Sequence, residues 1–516
     1  MTTQTIRFLR RGAVHEVRDV PVTRTVLQHL REDQHACGTK EGCAEGDCGA
    51  CTVVVGELDS EGQLALKAVN ACIQFLPTLD GRALFTVEDL RAADGTLHPV
   101  QQALVDCHAS QCGFCTPGFV MSLWALYERQ PASAGLPTRD EINQALSGNL
   151  CRCTGYRPIV DAAQRMCDYA RYPRIPLDRH AIEDALRSLA RNSTFEYRAN
   201  GVAGGEATFF APRTLGEFAR LRAERPQARV LAGSTDVGLW VTKQFRELGD
   251  LIYTGNVAEL RDLSTDAEAL TIGAAVPLEE AYAALTIDYP ELAEFWARFA
   301  SLPIRNAGTL GGNIANGSPI GDSMPVLLAL DAQLVLRRAN AERTLPLAAF
   351  YAGYQKTVLA PGEFVQSIRV PRPTPTLRFR TYKISKRYDQ DISAVCAAFA
   401  LDIGEDGVIA KARVAFGGMA ATPLRGARAE VALTGARWDE ATARCAMDAL
   451  AADYQPLTDL RASAIYRLKV ARNLLWRCWL ETRDDAPLAL CDVNAFAFGA
   501  EDGFEDDAVL AAGEIP

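Results

Sequence analysis

The stretch GCAEGDCGACTV, residues 42–53, decides the fold of the first part of this chain. It sets three cysteines at a C-x4-C-x2-C spacing, and a fourth follows in NACI, residues 70–73. This spacing is the plant-type pattern for a [2Fe–2S] cluster, which four converging thiolates hold. Glycines within the stretch let backbone N–H groups approach the sulfurs. A zinc site, which favours paired C-x2–4-C knuckles, is the alternative. The predicted cluster ligands are Cys43, Cys48, Cys51 and Cys72.

A second cysteine set lies in QCGFCTPG, residues 111–118, and in LCRC, residues 150–153. The C-x2-C spacing also occurs in zinc ribbons and in thioredoxin-like dithiols. Spacing alone therefore leaves a [2Fe–2S] cluster, a zinc ion and a redox dithiol open for this set. Both cysteine pairs precede predicted helices, whose positive N-terminal ends favour an anionic cluster. The set consists of Cys112, Cys115, Cys151 and Cys153.

The pattern of predicted elements divides the 516 residues into several domains. A hairpin, a short helix at 23–32 and a Cys-rich loop come first, and four helices follow as a small bundle. In that bundle we expect Thr116 to cap one helix, and Thr138 with Glu141 to form a capping box. The predicted segments are a first domain at 1–85, the bundle at 86–170, a linker at 171–205, a mixed domain at 206–375, a C-terminal domain at 376–485 and an acidic tail at 486–516.

Composition restricts the partners and the compartment. The net charge is −10 and no long basic block appears, which weighs against nucleic acid as a partner. No secretion signal and no run of about 18 apolar residues is present, so we expect no membrane insertion and a cytoplasmic protein. Eleven of the 15 cysteines precede residue 170. Clustered cysteines in a cytosolic chain indicate metal binding or a redox function. Cys37, Cys107 and Cys167 are left over as predicted non-ligands.

Two Gly-rich turns in the mixed domain follow apolar segments. They are VLAGSTDVGL, residues 230–239, and AGTLGGNIANGSPIGD, residues 307–322. Such turns present backbone N–H groups and hydroxyls to phosphate oxygens. Neither turn matches the Rossmann fingerprint or a P-loop, and either one alone is also compatible with an ordinary loop.

These motifs together resemble a known family. GTKEGCAEGDCGACTV, QCGFCTPG and GNLCRCTGYRPI look like the iron–sulfur region of the xanthine dehydrogenase/aldehyde oxidase family of molybdenum hydroxylases. The two Gly-rich turns, with FYAGYQKTVLAPGEFVQSIRVP, YKISKRYDQDISAV and FGGMAATP, are similar to the flavin domain of that family. The resemblance covers about residues 3–480. It implies a [2Fe–2S] cluster in each cysteine set and one FAD.

The resemblance also implies a fold and a set of FAD contacts. The fold class is α+β multidomain, with a plant-type ferredoxin-like β-grasp domain, a four-helix-bundle [2Fe–2S] domain, a non-Rossmann FAD-binding α+β domain and a C-terminal α+β domain. Phe299 matches the aromatic residue that stacks on the isoalloxazine ring, although a phenylalanine here also fits a core. The loop Tyr388–Asp391 matches a segment near the nicotinamide site. The implied FAD contacts are Val230, Leu231, Ala232, Gly233, Ser234, Thr235, Asp236, Val237, Phe299, Thr309, Leu310, Gly311, Gly312, Asn313, Asp322, Val365 and Lys383.

The family has a large molybdopterin domain, which this sequence does not contain before its end at Pro516. The resemblance therefore implies an electron-transfer subunit that works with a molybdopterin-binding large subunit, as α2β2 in relatives. The partner's molybdenum centre is expected to oxidise hypoxanthine or xanthine, or alternatively an aldehyde or N-heterocycle. Electrons are expected to pass through the Cys112 set, the Cys43 set and FAD to NAD+. Gln111 matches a residue that touches the pterin from this side.

Overall fold

The computed structural model describes residues 4–130, 135–201, 204–489 and 492–493. Most of the predicted acidic tail at 486–516 lies outside these residues and stays a prediction. Within them, the chain forms the multidomain α+β arrangement that the sequence predicts. Across the described ranges, no helix is both long and apolar enough to cross a membrane.

A five-stranded mixed sheet with a short helix against it makes up the first domain. The strand order is β2-β1-β5-β3-β4, with β1 parallel to β5 and the other neighbours antiparallel. The predicted helix begins later than expected, at Val26 behind the capping box of Thr25 and Gln28, and continues as a π-helical turn. Its apolar side packs on the sheet. The elements are β1 (Ile6–Arg10), β2 (Ala13–Val17), α1 (Val26–Gln28), β3 (Thr52–Leu58), β4 (Leu64–Asn70) and β5 (Ala83–Phe85).

Four helices follow as the predicted bundle. The second of them is its centre, because Phe119, Leu123 and Trp124 are buried against the other three. The helices are α2 (Pro99–Asp106), α3 (Thr116–Arg129), α4 (Arg139–Leu146) and α5 (Arg157–Arg165).

Helix caps in the bundle agree with the sequence at one position and differ at another. The capping box of Thr138 and Glu141 at α4 is confirmed. The prediction that Thr116 caps α3 is wrong, because Cys115 occupies the cap position. The Thr116 hydroxyl instead lies 2.8 Å from Ser110 Oγ. The helix therefore begins directly at a residue of the second cysteine set.

The predicted linker at 171–205 contributes to both of its neighbours. Its helix α6 (Arg179–Leu189) lies on the first domain, where Leu186 and Leu189 are buried with residues of the sheet. Its strand β6 (Phe195–Asn200) pairs antiparallel with β7 (Glu206–Ala211). The boundary predicted at residue 205 therefore falls inside a hairpin.

The third domain contains two larger sheets and a two-stranded one, β14-β15. The first has the order β6-β7-β9-β8 and the second β10-β11-β16-β12-β13. The helices α9, α10, α12 and α13 pack against the second sheet in one large apolar core, whereas Ile304 and Ala307 of α11 pack against the core of the first domain. The further elements of this domain are α7 (Leu215–Glu224), β8 (Arg229–Leu231), α8 (Val237–Thr242), β9 (Leu251–Tyr253), β10 (Leu263–Thr265), β11 (Ala269–Gly273), α9 (Leu278–Asp288), α10 (Leu292–Arg298), α11 (Leu302–Ala307), α12 (Leu310–Asn316), α13 (Ser323–Ala329), β12 (Gln333–Arg338), β13 (Ala341–Pro346), β14 (Tyr351–Gly353), β15 (Lys356–Thr357) and β16 (Phe364–Pro371).

The C-terminal domain is a four-stranded antiparallel sheet between two layers of helices. Alternation along β18 explains the layers: Phe399 and Leu401 face the domain's own helices, whereas Ala398 and Ala400 face the core of the third domain. Small residues on the second face let α13 approach closely. The elements are β17 (Leu377–Ile384), β18 (Val395–Ile403), β19 (Ile409–Gly417), β20 (Leu424–Arg425), α14 (Ala427–Leu433), α15 (Glu440–Leu450) and α16 (Ala464–Thr482).

A group of charged side chains joins the first and third domains. Glu57 accepts hydrogen bonds from Lys67 Nζ at 2.9 Å, Arg82 Nε at 3.0 Å and Arg261 Nη2 at 2.9 Å. Its side chain is only 13% exposed. Burial alone would raise the pKa of Glu57, but the three cations lower it well below the usual range. One carboxylate therefore holds together three cations from two domains.

We predict that Glu57→Ala lowers the free energy of unfolding by about 3 kcal/mol, because it leaves three enclosed cations without their common partner. Urea denaturation measures the loss. The matched control is Glu224→Ala, which removes an exposed i,i+4 pair with Arg220 and should change stability by less than about 0.5 kcal/mol. Equal losses in the two variants would contradict a special role for Glu57.

The same carboxylate predicts a pH dependence. A carboxyl whose pKa is lowered in the folded state stabilises it fully above its unfolded pKa, about 4.3 for glutamate. That contribution is lost as the pH falls through the lowered folded value. The wild type should therefore lose more stability than Glu57→Ala on acidification below about pH 4.3, as followed by thermal melting.

Candidate functional site

The first predicted set of thiols meets on one loop and the end of one strand. Cys43, Cys48 and Cys51 lie on the loop before β3, and Cys72 follows β4. The Cys48 and Cys72 thiols lower the pKa of Cys43, and the Cys72 thiol lowers that of Cys51, so these sulfurs interact. Cys51 and Cys72 are buried, and the other two are half-buried. The structure thus brings all four predicted ligands together.

Backbone groups of the loop surround the Cys43 sulfur. The N–H groups of Glu45, Asp47 and Cys48 donate to it at 3.5, 3.3 and 3.3 Å. Contacts from the Cys48 and Cys72 thiols, followed by these N–H groups, lower the pKa of Cys43. A Cβ on Gly42 would stand 2.7 Å from Cys48 Sγ, so only glycine lets the backbone pass this close to sulfur. These N–H groups therefore favour a thiolate at Cys43.

The second set also comes together, as two thiol pairs. Cys112 contacts Cys153, and Cys115 contacts Cys151. Burial, with the Cys151 contact, raises the pKa of Cys115 to about 12, whereas the Phe114 N–H and the Cys153 thiol lower the pKa of Cys112. Cys151 is buried, but Cys112 and Cys153 are exposed. This set therefore lies at the protein surface.

Each predicted set supplies four thiols. Among the residues that the structure describes, no three Cys, His, Asp or Glu side chains are placed to hold one metal ion together. A [2Fe–2S] cluster needs two thiolates on each iron. The number and the chemistry of the donor atoms in both sets fit that requirement.

The first Gly-rich turn connects β8 to α8. Ser234 adopts a left-handed φ of +64°, and its carbonyl accepts from Gly238 N–H at 2.7 Å. A Cβ on Gly233 would clash with the backbone of Ala307 and Gly308. Glycine at 233 is therefore required for the first turn to lie directly against the second.

The second Gly-rich turn opens α12. Thr309 caps this helix, and its hydroxyl accepts from Gly312 N–H at 3.0 Å. Gly311 lies so close to Ala274 that a Cβ would meet its backbone at 2.6 Å. Asn316 Nδ2 donates to Asp236 Oδ2 at 3.1 Å, which ties the second turn to the first. The two predicted turns thus form one continuous cradle.

Three polar atoms of predicted FAD contacts are buried without a partner within the described part of the chain. They are Ser234 Oγ, Asn313 Oδ1 and Asp322 Oδ1. Burying a polar atom without a hydrogen bond costs about 1–3 kcal/mol. A polar ligand in the cradle would satisfy them. This observation fits a bound dinucleotide such as FAD.

A buried ion pair closes one end of the cradle. Lys383 Nζ donates to Asp322 Oδ2 at 2.6 Å, to Ser393 Oγ at 2.9 Å and to the Asp391 carbonyl at 2.7 Å. Both partners of the pair are at most 4% exposed in their side chains. The pair connects the third domain to the C-terminal domain at the cradle.

The structure places Phe299 and Val365 in the core of the third domain. Each is 7% exposed. The Phe299 ring lies 5.6 Å from Tyr282 and 6.3 Å from Phe295, centroid to centroid. Contact of either residue with a flavin therefore stays a prediction.

Sequence reasoning missed how the loop Tyr388–Asp391 connects the domains. Arg298 Nε donates to the Tyr388 carbonyl at 3.0 Å, and the guanidinium lies 4.9 Å from its ring. Gln390 Nε2 donates to the Asp47 carbonyl in the first cysteine loop. This contact joins residues 343 positions apart, and no local sequence signal encodes it.

Four family models match successive parts of the chain. They are a 2Fe-2S iron-sulfur cluster binding domain at 11–76, a [2Fe-2S] binding domain at 86–164, the FAD binding domain in molybdopterin dehydrogenase at 203–373 and the CO dehydrogenase flavoprotein C-terminal domain at 380–482. The chain belongs to the molybdenum hydroxylase family. As the iron–sulfur and flavin part of such a hydroxylase, it has two domains for [2Fe–2S] clusters and one for FAD.

Individual relatives agree with this molybdenum hydroxylase assignment. Xanthine dehydrogenase of Emericella nidulans is 32% identical over 92% of the chain, and aldehyde oxidase 4 of Cavia porcellus is 31% identical over 81%. The chain spans 38% and 34% of their lengths. Among solved structures, carbon monoxide dehydrogenase from Hydrogenophaga pseudoflava, which lacks the Mo-pyranopterin moiety of its cofactor, superposes with a TM-score of 0.50 at 29% identity, covering 52% of this chain and 94% of that one.

For this hydroxylase chain we predict that Lys383→Met removes most bound FAD, because Asp322 is left buried and charged without a partner. Flavin content per chain measures the effect. The double variant Lys383→Met/Asp322→Asn removes both charges, so it should recover stability but not FAD. Lys386→Met, at an exposed lysine on the same segment, is the control. Full flavin in the double variant would show that the pair is only structural.

Proposed function

We propose that this chain is the electron-transfer subunit of a xanthine dehydrogenase. A molybdopterin-binding large subunit oxidises hypoxanthine or xanthine, and the electrons pass through the Cys112 set, the Cys43 set and FAD to NAD+. When bound, the clusters carry single electrons, and the flavin links them to two-electron hydride transfer. The residues of this chain supply distance, electrostatics and access.

The position of the first cysteine loop is the observation that carries this proposal. On one side, the Cys48 carbonyl accepts from Leu150 N–H at 3.0 Å, next to Cys151 of the second set. On the other side, Thr242 Oγ1 of α8 donates to the Ala44 carbonyl at 2.7 Å. The loop of the first set therefore contacts both the segment before Cys151 and the helix that follows the first Gly-rich turn. These contacts support the proposed order of the relay.

The surface around the second set supports docking of a partner. Phe114 is 45% exposed and Tyr156 is 41% exposed, next to exposed Cys112 and Cys153. Gln111, the residue matched to a pterin contact, is exposed on the same rim. Aromatic residues around an open redox site suit a partner that covers it.

The acceptor and the assembly complete the proposal. The Tyr388–Asp391 loop beside the cradle is where we place NAD+ access, and we propose an α2β2 assembly with the large subunit. Every cysteine in the described residues is free, which supports a reducing compartment such as the cytoplasm.

A second candidate is the equivalent subunit of an aldehyde- or N-heterocycle-oxidising hydroxylase. The similarity to aldehyde oxidase 4 of Cavia porcellus favours keeping it. Substrate choice lies in the partner chain. Both candidates share the same relay.

We predict about four irons, four acid-labile sulfides and one FAD per anaerobically purified chain, without zinc. Cys72→Ser and Cys115→Ser should each lower iron to about two, because each removes one ligand of a different cluster. Cys107→Ser, at a half-buried cysteine outside both sets, is the control and should keep all four. Zinc with about two irons would make the second set structural and break the proposed relay.

The substrate and the electron acceptor are tested on the complex with the partner chain. We expect that the chain, purified together with its molybdopterin partner, reduces NAD+ with hypoxanthine or xanthine faster than with aldehydes or N-heterocycles. Initial rates of NADH formation measure this. Faster turnover of an aldehyde would favour the second candidate, and reduction of O2 but not NAD+ would exclude the proposed acceptor.

A further inference from the structure

Asn149 lies buried where the first cysteine loop meets the segment before Cys151. Its Nδ2 donates to the Gly49 carbonyl at 3.1 Å and to Thr52 Oγ1 at 3.2 Å. Its Oδ1 accepts from Ser122 Oγ of α3 at 2.6 Å. The side chain is 4% exposed. One amide therefore joins the loop of the first set to two segments of the second.

The hydrogen bonds of this amide are complete. A carboxamide has two N–H donors and one acceptor oxygen, and each finds a buried partner here. An apolar side chain of the same size could fill the space but could not fix its orientation. Loss of the amide would remove this bond between the two segments, while the Thr52 hydroxyl and N–H would still donate to the Gly49 carbonyl at 2.7 and 3.1 Å. The site thus specifies a geometry as well as a volume.

Backbone contacts around Asn149 are also unusually close. A Cβ on Gly49 would clash with the Gly148 carbonyl, and a Cβ on Gly118 would clash with the Gly49 carbonyl. Gly118 follows Cys115 by three residues, and Gly148 precedes Cys151 by three. Gly49 follows Cys48 directly. Segments that carry ligands of both sets therefore touch at one point, around this side chain.

We propose that Asn149 is a positioning residue that fixes the separation and orientation of the two cluster sites. The proposal rests on the relay function, in which each cysteine set holds a [2Fe–2S] cluster. Asn149 contacts neither set of sulfurs in its hydrogen bonds. It acts through Gly49, beside Cys48, and through its own chain neighbours, which end at Cys151. Its removal should change how the clusters interact rather than whether they bind.

The test uses the full-length, cluster-loaded chain and three variants. Asn149→Ala removes all three hydrogen bonds, Asn149→Asp keeps the shape but loses both donors, and Ser122→Ala removes only the donor to Oδ1. Asn143→Ala, at an exposed asparagine of α4, is the matched control. Iron and sulfide per chain establish loading. Electron paramagnetic resonance of the fully reduced protein then measures the magnetic coupling between the clusters.

We expect full iron in Ser122→Ala and Asn149→Asp, with a changed spin–spin splitting that grows from Ser122→Ala to the Asn149 variants. Electron transfer between the clusters, followed by freeze-quench after partial reduction, should slow about 10-fold in the Asn149 variants. Asn143→Ala should match the wild type. Unchanged splitting and rate in fully loaded Asn149→Asp and Ser122→Ala would overturn the positioning role. Wild-type protein with fewer than two clusters would instead contradict the relay itself.

If Asn149→Ala fails to fold, Asn149→Asp and Ser122→Ala keep the question answerable, because the first keeps the shape of the side chain and the second leaves its bonds to Gly49 and Thr52 in place. A changed splitting in either fully loaded variant supports the proposal, and an unchanged splitting in both contradicts it. A purely structural role would lower the melting temperature of Ser122→Ala without altering the splitting.

Discussion

The loop that carries Cys43, Cys48 and Cys51 has to approach three different neighbours at van der Waals distance, and the rest of the structure depends on this. Gly42 faces the Cys48 sulfur, where a Cβ would stand at 2.7 Å. An added Cβ on Gly46 would stand 2.6 Å from Ile73 of the same domain and 3.1 Å from Ile304 of the third domain, and Gly49 faces the bundle. The three glycines thus let the loop approach a sulfur, the flavin domain and the second cysteine domain. Side chains at these positions would push the redox sites apart.

Ion pairs between domains also hold the redox domains close together. Interfaces between domains of one chain usually permit relative motion. Here Glu57 joins cations of the first and third domains, and Lys383 with Asp322 joins the third and the C-terminal domain. Buried pairs of this kind are costly to break, even where they add little net stability. They fix the positions of the domains relative to one another, which a relay between fixed sites needs.

Signals within a few residues of sequence predict the cysteine sets and some helix starts. Contacts between distant parts of the chain are not predictable from such signals. Cysteine spacing indicated both thiol sets, and the order Thr138–Glu141 indicated a helix start, because these signals lie within a few residues of each other. The strand at 195–200 was not predicted, because its alternation of buried Phe195 and Tyr197 with Glu196 and Arg198 spans only a few residues. Its pairing with β7 makes it part of the sheet. Cys115 rather than Thr116 occupies the cap position of α3, and the Thr116 hydroxyl contacts Ser110. Contacts such as Gln390 with Asp47 depend on the packing of whole domains.

Because helix α6 packs on the first domain, the chain cannot be cut simply at its successive domain boundaries. It covers Leu9, Leu64 and Ala83 of the first sheet with its own leucines, and Glu183 Oε1 accepts from Leu64 N–H at 3.0 Å. Just beyond it, Arg191 binds Asp80 with two hydrogen bonds, at 2.6 and 2.7 Å. A fragment cut at residue 85 would expose this apolar surface and leave Asp80 without its cation. Dissection of the protein into separate redox modules therefore has to keep residues 179–191 with the first one, although the whole bundle lies between them in sequence.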